Sequence, residues 1–187
     1  MSDAEYIDKP EVFFRSAVTR DGSRMWAFVK EHGVLELNSA YCYMLMATHF
    51  GQHCIVAESA LQADTNVAKD MAGFVLSYRP PAKAEELFVW QIGVHPKMRG
   101  RGLAKHMLHQ LLTLPANRGV QYITATVATG NEPSRALFRG FARDTNLECE
   151  ETGFFTPDMF PESLGGHEAE DLFRIGPMDS AGATSHV

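Results

Sequence analysis

A chain of 187 residues with 45% hydrophobic side chains has the size and apolar content of one domain with a proper core, which excludes a disordered chain. Its formal charge of −6 argues against general nucleic-acid binding, and no run of about 18 apolar residues offers a membrane span. The three cysteines, Cys42, Cys54 and Cys149, are widely spaced and form no C-x-x-C pair, so neither a disulfide framework nor a metal site is expected.

Residues 1–11 read as an N-terminal extension, and Met1–Pro10 lack the apolar run of a signal peptide. Val12–Val18 reads as a strand. Asp21-Gly22-Ser23 opens a helix through Trp26, Phe28 and Val29 that ends at Gly33. Asn38 and Ser39 can cap a second helix over Tyr41–Phe50. Tyr41, Tyr43, Met44, Met46 and Phe50 cover nearly all of its sides, which predicts a well-buried helix. His53–Glu58 is a short strand, Ala60–Asp70 is polar and turn-like, and Met71–Tyr78 is a strand with Gly73 placed for a bulge. Pro80-Pro81 begins a loop before the β-branched and aromatic run Glu86–His95, which Pro96 stops. Leu103, Met107, Leu108, Leu111, Leu112 and Leu114 recur at helical spacing until Pro115 and the turn Asn117-Arg118-Gly119. Val120–Thr129 is the next strand, and Asn131–Thr145 a helix with Pro133 in its first turn. Glu151–Thr156 and Asp171–Ile175 form a final strand pair, and Gly176–Val187 is rich in small residues, like a loose tail. The order βααβββαβαββ predicts an α/β domain whose central, partly antiparallel sheet is flanked by helices. Pure βαβ alternation would instead give a doubly wound parallel sheet.

The most informative stretch is Arg99-Gly100-Arg101-Gly102-Leu103-Ala104, between a strand and a long amphipathic helix. The two glycines let the backbone turn tightly and bring its N–H groups to a ligand. The helix aims its positive dipole end at the same place, and Arg99, Arg101, Lys97 and Lys105 add full charges. Together they predict a cradle for a pyrophosphate-type anion. Neither G-x-G-x-x-G nor G-x-x-x-x-G-K-(S/T) is present, which excludes the dinucleotide fold and the nucleotide-triphosphate loop.

The spacing R-x-x-G-x-A resembles the acyl-CoA loop of the GNAT acetyltransferases, (R/Q)-x-x-G-x-(G/A). Further segments are similar to one branch of that superfamily, the L-2,4-diaminobutyrate acetyltransferases of ectoine biosynthesis. They are Leu35-Glu-Leu-Asn-Ser39, Val89-Trp-Gln-Ile-Gly93, Asn131-Glu-Pro-Ser-Arg-Ala-Leu-Phe138, Gly165-Gly-His-Glu168 and Leu172-Phe-Arg-Ile-Gly-Pro177. The resemblance covers roughly residues 12–177 and implies a single domain with the GNAT (acyl-CoA N-acyltransferase) fold, leaving 178–187 as a flexible tail. It implies acetyl transfer from acetyl-CoA to the γ-amine of L-2,4-diaminobutyrate, without a metal, by a cytoplasmic homodimer that serves the synthesis of a compatible solute made under osmotic stress.

The resemblance also implies roles. The amides of Gly100, Arg101, Gly102, Leu103, Ala104 and Lys105, with the Arg99 side chain, would hold the coenzyme diphosphate. The backbone of Ile92 and Val94 would pair with the pantetheine arm. Asn131 and Ser134 would touch the coenzyme, although Asn131 serves equally well as a helix cap. Glu36, His167 and Glu170 are the candidates for catalysis and substrate binding. His167 has three open roles: base, donor to the substrate carboxylate, or loop structure. Trp90 can wall the pocket and face a cationic amine or pack in the core, and Tyr41 can hydrogen-bond the substrate. The tyrosine that protonates the departing thiolate in many relatives is replaced by Phe138, which puts that acid in doubt. Two alternatives stay open: another amine acceptor, such as a polyamine, an aminoglycoside or a protein N-terminus, and a non-catalytic acyl-CoA-binding module.

Overall fold

The computed structural model describes residues 12–33, 35–59, 71–161 and 166–178. The expected extension 1–11, the turn-like stretch 60–70, Gly165 and residues 179–187 of the expected tail lie outside the described residues. The elements follow the expected order. They are β1 (Val12–Ser16), α1 (Asp21–His32), α2 (Ala40–His49), β2 (Ile55–Ser59), β3 (Met71–Tyr78), β4 (Glu86–Val94), α3 (Leu103–Thr113), β5 (Tyr122–Ala128), α4 (Glu132–Thr145), β6 (Cys149–Phe155) and β7 (Glu170–Ile175).

The described strands form one sheet in the order β1-β2-β3-β4-β5-β7-β6. Every neighbouring pair is antiparallel except β4 and β5, which run parallel. The expected final pair exists, but β7 lies inside β6. Burial explains the order: Phe173 and Ile175 of β7 are fully buried, whereas Phe154 and Phe155 of β6 stay exposed. A strand with a half-dry face belongs in the sheet, and a wet one at its edge.

Helices cover both faces. On one side Met107, Leu108 and Leu111 of α3 and Phe138 and Phe141 of α4 pack with Val75, Leu87, Ile123 and Phe173. On the other, Met25, Phe28 and Val29 of α1 and Tyr43 and Met46 of α2 pack with Val56, Phe74 and Leu76. β3 is sandwiched between these layers, so its seven leading residues are all buried.

Some details differ from the sequence reading. Helix α2 is not buried all round: Tyr43, Met46 and Ala47 are buried, but Tyr41 is 75% exposed. It lies beside α1 on one sheet face, so only one of its sides meets the core. The bulge expected at Gly73 is at Ala72, because Gly73 stays opposite Ala57 while Met71 pairs with Glu58. Gly73 has another cause: a Cβ there would lie 2.6 Å from the Gly93 carbonyl oxygen. The first residues of the expected loose tail are tied down. The Gly176 N–H donates to the Glu148 carbonyl (3.1 Å) and the Met178 N–H to the Gln121 carbonyl (2.8 Å).

Beneath the first helix, the fully buried Asp21 carboxylate receives Arg15 at 2.6 Å and Arg24 at 2.9 Å. Burial opposes its ionisation, yet these guanidiniums and the Val18 N–H hold its carboxyl below the usual range. This network fixes the start of α1 against β1 and β2, where Glu58 receives the same two arginines.

Candidate active site

The parallel pair opens. β4 and β5 are in register at Glu86–Tyr122, Leu87–Ile123 and Phe88–Thr124 and no further. Yet β4 continues to Val94 and β5 to Ala128. Beyond Phe88 the edge of β4 that faces β5 therefore has no strand partner among the described residues. Unpaired backbone groups on such an edge are a template for an extended ligand that carries amides. On the other edge of β4 the pairing passes from Ser77–Val89 to Leu76–Gln91, leaving Trp90 as the extra residue of a β-bulge. A bulge bends its strand and re-aims side chains, which suits the point where β4 departs from β5.

At the end of β4 the chain makes the predicted turn. The Nδ1 of His95 accepts the Lys97 N–H at 3.2 Å, starting a short 3-10 turn over Pro96–Met98. Met98 is buried and anchors the turn to the core. Gly100 and Gly102 have φ values of 72° and 78°, a left-handed backbone that glycine adopts without strain. Gly102 precedes α3, which has no side-chain cap and no acidic residue in its first turn. Its first N–H groups are thus free of a competing carboxylate or hydroxyl, as an anion site requires. Among the expected cations, Arg99 folds its Nε onto the Val94 carbonyl (3.2 Å). Lys105 pairs with Asp144 of α4, while Lys97 and Arg101 are exposed. The charge at the mouth of the loop therefore comes from Lys97, Arg99 and Arg101 more than from Lys105.

The start of α4 is built as a cap. The Asn131 side-chain oxygen accepts the Ser134 N–H at 3.2 Å, the structural use of Asn131 weighed above. The preceding turn is clasped by Glu168, whose carboxylate accepts the Gly130 N–H at 2.7 Å. Phe138 is buried and its ring lies 5.8 Å from that of Phe173, so it is a core residue with no proton to give.

The acceptor candidates fall into two groups, one on each arm of the opening. On the β4 arm, the Gln91 Nε2 donates to the Glu36 carbonyl at 3.1 Å. This ties the segment before α2 to the strand and leaves the Glu36 side chain exposed. Trp90 is half-buried, 6.1 Å from the ring of the fully buried Tyr43. It packs against the core and borders the opening at once. On the β5 arm, Glu170 opens β7 opposite Ala128, the last residue of β5. The Nε2 of His167 lies 3.9 Å from the Glu170 carboxylate. His167 stacks on Phe160 with ring centroids 3.7 Å apart and planes 11° from parallel. Its Nδ1 lies 2.7 Å from the Glu168 carbonyl. A carbonyl only accepts, so Nδ1 carries a proton, and in the neutral tautomer this selects the lone pair lies on Nε2. No hydrogen bond, ion pair or ring contact joins the two groups, or Tyr41 to either, among the described residues.

Sequence reasoning missed Tyr43, Gln91, Phe160 and the clasp by Glu168. Gln91 carried a usable signal, as the one side-chain amide in the apolar run Phe88–Val94. Phe160 carried none, because its partner is set by the fold of the loop.

The sequence profile of the Acetyltransferase (GNAT) family matches residues 26–141. The L-2,4-diaminobutyric acid acetyltransferase of Oceanobacillus iheyensis is 39% identical over 178 residues, 95% of each chain. That of Halalkalibacterium halodurans is 39% identical over 92% of this chain and 82% of its own. Among solved structures, the diaminobutyrate acetyltransferase of Paenibacillus lautus, in complex with L-2,4-diaminobutyric acid and coenzyme A, superposes with a TM-score of 0.81. It is 37% identical, and the match covers 96% of this chain and 99% of that one. The ribosomal-protein-S18-alanine N-acetyltransferase of Escherichia coli, 15% identical with a TM-score of 0.65 over 94% and 100% of the two chains, shares the fold.

Proposed function

This chain belongs to the GNAT acetyltransferases and, within them, to the L-2,4-diaminobutyric acid acetyltransferases; from that premise we infer how its own residues work. It is an acetyltransferase that moves the acetyl group of acetyl-CoA to the γ-amine of L-2,4-diaminobutyrate. The product is N4-acetyl-L-2,4-diaminobutyrate, the precursor of ectoine. The observation that carries the reading is the arrested pairing of β4 and β5 after Phe88, on the strand that leads through the glycine turn into an α3 with no side-chain cap.

In this reading the pantetheine amides pair with the backbone of Ile92 and Val94 on the open edge of β4. The diphosphate sits on the amides of Gly100 through Lys105, with Arg99 and Arg101 beside it. Ser134 and the Nδ2 of Asn131 reach the coenzyme from the first turn of α4. On the acceptor side, Glu36, Trp90 and Tyr41 bind the amino acid from the β4 arm. His167 and Glu170 act from the β5 arm.

The step needs a neutral amine. A lysine-like ammonium has a pKa of ~10.4, so a neutral form near pH 7.4 costs roughly 4 kcal/mol. The second ammonium of the substrate lowers that demand by like-charge repulsion. The lone pair on His167 Nε2 takes the proton, and Glu170 stabilises the imidazolium that results. The freed nitrogen attacks the thioester carbon, and backbone N–H groups near Ile92 stabilise the oxyanion. The new C–N bond stays and the C–S bond breaks. The sulfur leaves as thiolate, tolerable because a thiol pKa of ~8.5 is close to ambient pH; the bonded nitrogen, now strongly acidic, gives its second proton to solvent, from which the thiolate is protonated. No tyrosine acid at the Phe138 position is then required.

The reading extends to one domain over residues 12–177, with 1–11 and 178–187 flanking it, and to a cytoplasmic enzyme that serves compatible-solute synthesis under osmotic stress. It also includes a homodimer. The exposed Phe154, Phe155 and Met159 on and after the edge strand β6 support an apolar contact with a second copy. Light scattering then gives a mass near double that of the 20.8 kDa chain; a monomer at all concentrations rejects the dimer.

An acceptor panel tests the central assignment. Thiol release from acetyl-CoA is followed with L-2,4-diaminobutyrate, a polyamine, an aminoglycoside and an N-terminal peptide. Diaminobutyrate should give the highest kcat/KM, and coenzyme binding without turnover on any acceptor would overturn the reading.

A further inference from the structure

Gln91 is buried at 8% exposure within a strand whose neighbours are apolar. It follows the bulge residue Trp90, and its Nε2 donates to the Glu36 carbonyl at 3.1 Å. Its other amide atom, Oε1, is buried with no hydrogen-bond partner. The hydroxyl of the fully buried Tyr43 makes no well-aligned hydrogen bond either, although Gln91 and Asn38 lie close enough to act on it. Buried polar atoms so poorly paired make this place less stable than an apolar filling would. A half-satisfied polar cluster beside an otherwise apolar core layer asks for a reason other than packing.

The topology supplies one. Residues 35–39 form no helix or strand, and Ser39 caps α2 by accepting the Cys42 N–H. The Gln91 amide ties this connection to β4 by a side-chain hydrogen bond. The Glu36 side chain projects from the backbone that Gln91 holds. We propose that Gln91 is a positioning residue for the amine acceptor: its hydrogen bond to the Glu36 carbonyl sets the distance of the Glu36 carboxylate from the opened edge of β4. The inference rests on the reading of Glu36 as an acceptor-binding group. Gln91 itself touches neither the acceptor nor the coenzyme. A misplaced Glu36 weakens recognition of the cationic substrate and leaves the coenzyme loop, which begins beyond Val94, unaffected.

Steady-state kinetics in both substrates test this with Gln91→Met, Glu36→Ala and the double variant. Gln91→Met keeps the length and apolar volume of the side chain, removes the donor and also removes the unpartnered Oε1. It should raise the KM for L-2,4-diaminobutyrate by about tenfold, the scale of one lost hydrogen bond. The KM for acetyl-CoA should not move, and the melting temperature should not fall. Glu36→Ala should raise the same KM, and adding Gln91→Met to it should change nothing further, because the tether then positions an absent carboxylate. Should Gln91→Met fail to fold, Gln91→Asn, one methylene too short to reach the carbonyl, takes its place with the same expected split between the two KM values and a lower melting temperature. Equal rises in both KM values with a lower melting temperature mean a structural role only and overturn the proposal. So does an unchanged diaminobutyrate KM in Gln91→Met when Glu36→Ala raises it. If Glu36→Ala itself leaves that KM unchanged, the reading of Glu36 fails first, and the positioning of Glu36 by Gln91 falls with it.

Discussion

Glu170 begins a strand and still has a side chain at the rim of the opening, because its register partner Ala128 is the last residue of β5. Removing its charge while keeping its shape isolates the electrostatic role. Glu170→Gln should raise the KM for diaminobutyrate and lower kcat, with the KM for acetyl-CoA unchanged; equal effects on both substrates in two-substrate kinetics would misplace the residue. The cysteines are chemically quiet by contrast. Burial pushes the Cys54 thiol up to about 12, and burial also raises Cys42 and Cys149. Only the thiolate is a nucleophile, so Cys54 stays protonated at pH 8. It should resist a thiol-specific reagent in the folded protein and react once denatured, read by mass spectrometry of the labelled peptide. Rapid native labelling of Cys54 would contradict the burial. At this scale legibility was uneven. Gly100 and Gly102 could be read because a positive φ selects glycine. Tyr41 and Tyr43 differ by two positions on an apolar helix, and only packing against Trp90 shows that Tyr43 is the one facing inward.

The strand-turn-helix unit from β4 to α3 is where conformation, dipole and charge converge. A Cβ on Gly102 would meet no protein atom within 4 Å, so its cost in the free protein is conformational, about 1–2 kcal/mol for a non-glycine residue in left-handed backbone. The open space is where the proposed diphosphate lies. Gly102→Val should therefore lower the melting temperature modestly and abolish measurable coenzyme A binding in calorimetry; unchanged affinity would remove the loop from the site. The same unit contains a titratable cap. Burial, then the neighbouring His32 and Lys97, hold His95 below the usual imidazole pKa, and burial does the same for His109. The unfolded chain then binds more protons between the folded value and about 6.5, so stability is intact above about 6.5 and declines as pH falls. His95→Asn can still accept the Lys97 N–H and should flatten this loss below about pH 6.5; an unchanged slope in pH-dependent melting would assign the loss elsewhere. The element order was legible because α3 carried an apolar stripe, the other helices carried capping or stop residues, and each strand a β-branched or aromatic run. The exchange of β6 and β7 was not, because sheet order depends on which strand is wetter, a property decided by neighbours.

Across the whole molecule, a seven-stranded sheet changes from antiparallel to parallel at one junction, β4 to β5, and the opening lies there. One arm of the opening leads to the α1–α2 side through Gln91 and Glu36, and the other to the β6–β7 side through Glu170 and His167. An acyl donor threaded between the arms would present its thioester to an amine held from both. The chain's fold class followed from its element order, and its branch from short motifs spread along it. The opening itself could not be read, since nothing in Val89–Val94 announces that pairing ends at Phe88. The most direct test is to let the purified chain turn over acetyl-CoA with L-2,4-diaminobutyrate and identify the product by NMR. The account predicts N4-acetyl-L-2,4-diaminobutyrate as the dominant product with one coenzyme thiol released per acetyl transferred. Acetylation at the α-amine, or coenzyme binding with no acetylated amino acid, would contradict it.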